Sequence, residues 1–192
     1  MRIPATAMSA LFCFLNLACG PASESSSDLE ASKAKKPALL SEEQIAELSA
    51  SDHFPTQPDS TLTPGVRCKN PDEKRYPEKI NYCERSVSKS VKDRVIREYD
   101  SQLGFSIDHI PRNKIKIDHY IPLCMGGDNA KTNLWPQHEA LYSHTDPLET
   151  QLCLALARGV ITQNEAIDDM LSAKAHTAIV VEMLAKVKEI MN

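Results

Sequence analysis

Histidine and glycine are both scarce in this chain, six of each in 192 residues, and there is a single tryptophan. Any stretch that gathers several of them therefore stands out. No apolar run reaches 18 residues, which excludes a membrane-spanning helix of ordinary length. No C-x-x-C pair occurs, which weighs against a structural zinc site. No segment repeats, so one domain with appendages is the natural count for this length. Basic residues do not outnumber acidic ones: the net charge is −4, which argues mildly against a nucleic-acid partner. The distribution qualifies that argument. Residues 1–60 hold 4 basic and 8 acidic side chains and residues 121–192 hold 5 and 9, whereas residues 61–120 hold 13 and 9. The local positive excess is what phosphate neutralisation needs, although a solvated charged face explains any single lysine equally well.

What is present is concentrated in Lys116 to His138, KIDHYIPLCMGGDNAKTNLWPQH. Those 23 residues hold two histidines, two aspartates, two asparagines, a Gly-Gly pair and two prolines. Ile115 and Ile117 alternate with polar neighbours, so Lys114 to Asp118 reads as a half-buried strand ending at Asp118 and His119. Ile121-Pro122 cannot continue a central ladder, and Gly126-Gly127 permits a tight reversal. Asp128 and Asn129 read as turn formers. Asn133 to Trp135 suits a returning strand, and Pro136 suits the first turn of a helix carrying His138 and His144. Asp118, His119, Asn133 and His138 could then converge at one end. Trp135 reads as core, and His53, His109 and His176 have no partners in sequence.

The run DHYIPLCMGGDNAKTNLWPQH resembles the ββα-metal finger of HNH endonucleases, in the variant DH-x-IPL-x-x-GG-x-N-x-x-x-NLWPQ. Arg85-Ser-Val, Lys92 to Tyr99, Asp146-Pro-Leu-Glu149 and Gly159 extend the resemblance over about Thr63 to Lys174. It implies an α+β, mostly helical fold with a two-stranded hairpin and flanking helices. It also implies hydrolysis of phosphodiester bonds in DNA, with RNA as an alternative substrate and little sequence preference. His119 would be the general base, and Asn133 would orient it and pin the hairpin. Asp118 and a residue on the helix would hold one divalent ion, Mg²⁺ with Mn²⁺ as a substitute. The family spacing lands that helix residue on Tyr142, a poor ligand; His138 is preferred, with His144 second. An imidazole suits the base and a hard cation suits the phosphoryl and leaving oxygens. A non-catalytic envelope lipoprotein whose finger is a structural or nucleic-acid-binding module remains the alternative.

Around this centre, residues 1–19 read as an export signal with one positive charge at Arg2 and a short apolar segment. Leu17-Ala18-Cys19-Gly20 is similar to a lipoprotein lipobox, with Asn16 where leucine is usual. It implies a lipid anchor at Cys19, or else an ordinary cleaved signal, and a chain in the cell envelope, periplasm or medium. Residues 20–63 read as tether and linker, with a minor helix over 42–50 opened by a Ser41/Gln44 capping box. The domain proper is expected over 64–175. In an exported protein its cysteines imply disulfides, with Cys68–Cys83 and Cys124–Cys153 preferred among three pairings. Pro64 to Cys83 reads as irregular. Ser86 or Ser88 caps a helix to about Tyr99 with Val87, Val91 and Val95 on one side and a basic opposite face. Asp146 and Pro147 open a further helix ending at Gly159, Thr162 and Glu165 open another, and residues 176–192 form a last amphipathic helix.

Overall fold

The computed structural model describes residues 39–192; the expected signal segment, Cys19 and the first part of the expected tether lie outside them. The fold is α+β and mostly helical, with two small antiparallel sheets. Its elements in order are α1 (Glu42–Asp52), β1 (Glu73–Arg75), β2 (Ile80–Tyr82), α2 (Lys89–Leu103), β3 (Ile115–His119), β4 (Leu134–His138), α3 (Glu139–Arg158), α4 (Gln163–Ala175) and α5 (Val180–Ile190). Among the described residues no helix is long and apolar enough to cross a membrane.

Local chemistry sets most of the boundaries. Ser41 and Gln44 close a capping box on α1, and Thr162 and Glu165 close another on α4. Ser88 caps α2, and Gly104 and Gly159 take the left-handed conformation that ends α2 and α3. Both expected disulfides are present, Cys68–Cys83 and Cys124–Cys153. The first closes a 15-residue separation that contains the β1–β2 hairpin, in a segment read from sequence as irregular. Strands of three residues are too short for a periodic signal.

Two elements depart from expectation at prolines. Pro136 does not open a helix but lies inside β4, opposite Ile117. Tyr120 N–H donates to Asn133 O and Glu139 N–H to Lys114 O, so hydrogen-bonded pairs fall at alternate positions and Pro136 takes a non-bonded one. A two-stranded sheet tolerates proline there because its missing N–H would face away from the partner. Pro147 does not start a second helix: α3 runs through it unbroken. The carbonyl it leaves without an amide is that of Ser143, which is exposed and open to water.

The expected linker also needs correction from Leu39 onward. Ile45 and Phe54 are buried in the core. Tyr99 Oη of α2 accepts from Asp59 N–H at 3.0 Å and pairs with Thr63 Oγ1 at 2.8 Å, while Thr63 Oγ1 donates to Leu134 O at 2.9 Å. Residues 39–63 are thus part of the body. Two apolar clusters result. One joins α2, β3 and β4 around Trp135 and Phe54; the other joins α3, α4 and α5 around Leu148, Leu152 and Met170. The β3–β4 hairpin straddles them, with Ile115 and Ile117 in the first and Ile121 and Met125 of its loop in the second.

Candidate functional site

The loop between β3 and β4 is shaped by a glycine pair and one asparagine. Gly126 has φ +84°, and a Cβ on Gly127 would stand 1.8 Å from Ile121 O, so neither position accepts a side chain without rearrangement. Asn133 is fully buried. Its Oδ1 accepts from Ile121 N–H at 2.9 Å and Val66 N–H at 3.3 Å, and its Nδ2 donates to Ile121 O at 3.0 Å and Asp128 O at 2.8 Å. These four bonds hold the loop closed on itself and on Val66.

The side chain that holds His119 is a different one. His119 Nε2 lies 3.2 Å from Asn129 Oδ1, and His119 Nδ1 is buried without a partner. His119 is 2 % exposed. Burial, reinforced by the Arg85 charge, pushes its pKa down to about 4, so the imidazole is neutral at pH 7. A neutral imidazole with a free ring nitrogen is competent to accept a proton.

Asp118 is also buried, and its carboxylate sits between two ammonium groups. Lys174 Nζ of α4 donates to Oδ2 at 2.7 Å and to His119 O at 2.5 Å, while Lys116 Nζ stands 3.3 Å from Oδ1. The Lys174 side chain is wholly buried and lies 3.8 Å from Glu149 Oε2. Burial alone would raise the Asp118 carboxyl, but Lys174 and Lys116 more than offset it and hold it below its ordinary value. Burial pushes the Glu149 carboxyl up against the pull of Lys174, with the Asp118 charge adding to the rise.

Two adjoining hollows open here, of about 550 Å³ and about 410 Å³, and both are lined by Arg85, Asp118, Glu149 and Thr150. The first adds Lys92, Arg112, Lys116 and Asp146. The second adds His119. Lys116 Nζ also bonds Asp146 Oδ1 at 2.5 Å. Asp118 and His119 thus lie at the end of β3, where Arg85 and Glu149 line the same hollow and Lys174 reaches Asp118 from α4. Lys174 is 56 residues from Asp118 and carries no local signal; Arg85 and Glu149 belong to segments noted in the sequence but given no role there.

His138 does not join them. It pairs with Ile115, at the opposite end of the hairpin from the His119–Leu134 pair. Its Nδ1 accepts from Ala140 N–H as the cap of α3, and its ring stacks on Phe54 with centroids 4.1 Å apart. His144 is buried on α3 but lines neither hollow. At 100° per residue it lies about 140° around the helix from Glu149.

The resemblance implies a Mg²⁺ ion held by Asp118 and His138. Both Asp118 oxygens already face ammonium groups, and His138 is elsewhere. Among the described residues one group of three His, Cys, Asp or Glu donors lies within 4.8 Å, Cys68, Cys83 and Asp128, and its sulfurs are joined as a disulfide. The arrangement does not fit a divalent ion, since a metal at Asp118 would have to displace Lys116. Comparison with family models, curated proteins and solved structures finds no match to this chain.

Proposed function

We propose that this chain hydrolyses phosphodiester bonds of nucleic acid, DNA first and RNA second, as the resemblance to HNH endonucleases implies. The observation that carries the reading is the neutral His119, with one ring nitrogen unpartnered, lining a hollow beside Arg85, Asp118 and Glu149. His119 takes a proton from water as the water oxygen bonds to phosphorus. The bond from phosphorus to the leaving oxygen breaks, and Glu149, which lines both hollows, is the acid placed to supply the proton that oxygen needs. Arg85 lines both hollows, and Lys92 and Arg112 line the first and extend a cationic wall that suits an anionic substrate. No step is routed through a metal ion, because the ligand set that would hold one is already ion-paired.

Sequence preference is expected to be slight, because the named contacts are to phosphate rather than to base edges. Nicking of supercoiled plasmid by the oxidised protein should then fall by at least tenfold as salt rises from about 50 to about 200 mM. A rate independent of salt across that range removes the phosphate-contact reading. The non-catalytic binding module is favoured by one observation, the double pairing of Asp118 with Lys174 and Lys116, which is also what a purely structural carboxylate would show.

A further inference from the structure

We infer that Asn129 is the positioning residue of the His119 base: it fixes the tautomer and leaves Nδ1 as the proton-accepting atom. The inference rests on the proposed hydrolytic reading for its catalytic part, and on hydrogen-bond geometry for the rest.

Backbone groups outside the hairpin decide how the Asn129 amide is oriented. Its Nδ2 donates to Glu84 O at 2.6 Å, and its Oδ1 accepts from Ser86 N–H at 3.1 Å. A carbonyl can only accept and an amide N–H can only donate, so the side-chain oxygen must face Ser86 and the nitrogen must face Glu84. The atom 3.2 Å from His119 Nε2 is that same oxygen, which has a lone pair to receive but no proton to give. His119 Nε2 must therefore carry the hydrogen. In the neutral ring the lone pair then falls on Nδ1, the nitrogen with no partner in the protein. A buried acceptor left unpaired has a cost, and a base that must take a proton during a reaction is a reason for one to persist.

The same three bonds tie the base to the cationic wall. Glu84 and Ser86 flank Arg85, which lines both hollows. Cys83, immediately before them, is bonded to Cys68. Asn129 thus clamps the Arg85 segment on one side and the His119 ring on the other. Asn133, expected to orient the histidine, instead spends all four of its bonds on backbone.

The test uses the oxidised full chain labelled with ¹⁵N-histidine, together with Asn129→Ala, Asn129→Asp and His119→Ala. The His119 ring signals are assigned as those missing from His119→Ala. In the wild type at pH 7, Nε2 should appear as the protonated nitrogen and Nδ1 as the unprotonated one. Asn129→Ala should mix the tautomers and lower plasmid-nicking kcat by about 10- to 100-fold, the scale of a misplaced catalytic group. Asn129→Asp keeps the acceptor oxygen and should restore the Nε2–H tautomer and part of the rate. A wild-type ring protonated on Nδ1 overturns the inference. So does a nicking wild type whose rate and tautomer Asn129→Ala leaves unchanged. A wild type that shows the expected tautomer but never nicks overturns the hydrolytic reading, and with it the catalytic part of the inference.

Discussion

Lys174→Met is the substitution that most directly probes how the site is held together. Methionine keeps most of the apolar stem and removes the ammonium. In the wild type that ammonium donates to Asp118 Oδ2 at 2.7 Å and His119 O at 2.5 Å, with its side chain wholly buried. Hydrogen bonds to charged groups contribute about 1.5–3 kcal/mol each, and breaking one side of a buried ion pair costs about 3–5 kcal/mol because the other charge stays desolvated. Lys116, 3.3 Å from Oδ1, retains part of the compensation. The expected loss at pH 7 is therefore about 3 kcal/mol, read from urea unfolding with the disulfides intact. The pH dependence has a definite sign. Lys174 and Lys116, overcoming burial, hold the Asp118 carboxyl below its ordinary value. The stability this contributes is present above the unfolded carboxyl pKa of about 4 and disappears as pH falls through the folded value. The difference between wild type and variant should accordingly shrink as pH is lowered below about 4. Adding Asp118→Asn to Lys174→Met should recover part of the loss, since the uncompensated charge is then gone. A single variant within about 1 kcal/mol of wild type at pH 7 would refute the buried-pair account.

The other expectations concern the base and the disulfide. His119 is pushed down to about 4 by burial, with Arg85 adding to it, so the acid limb of kcat/KM should fall near pH 4 and not near 6.5; a midpoint at 6.5 would contradict the buried environment. The same depression makes His119 a stabilising neutral group above about pH 6.5, with about 3 kcal/mol lost as pH falls from there through about 4, measurable as a drop in unfolding midpoint that His119→Gln abolishes. Replacing Cys68 and Cys83 together by serine should cost on the order of 3 kcal/mol and lower both nicking and DNA binding, because the segment of residues 84–86 that carries Arg85 and anchors Asn129 is released. Unchanged nicking in that variant would show that the clamp needs no covalent support.

The sequence made parts of this legible for identifiable reasons. The β3–β4 hairpin was readable from the alternation of Ile115 and Ile117 and from Gly126-Gly127, and α1 and α4 from their capping boxes, all of them local signals. The disulfides were readable because four cysteines allow few pairings. Pro136 and Pro147 misled because their effect depends on which way a missing N–H points and on whether a freed carbonyl reaches water. His138 shared the motif's density but faces Phe54, a contact across 84 positions of the chain that no window of sequence displays. Lys174 and Asn129 illustrate the same limit at the site. One reaches Asp118 from a distant helix, and the other reads as a turn former until Glu84 and Ser86 fix its orientation.

The measurement that tests the central claim most directly is plasmid nicking by the oxidised full chain beside His119→Ala, in Mg²⁺, in Mn²⁺ and in EDTA. The account predicts cutting by the wild type in all three conditions, EDTA included, that falls by about 10²- to 10⁴-fold in His119→Ala, the usual contribution of a general base. Equal cutting by both proteins, or none by either under any of the three conditions while both remain folded, would contradict it.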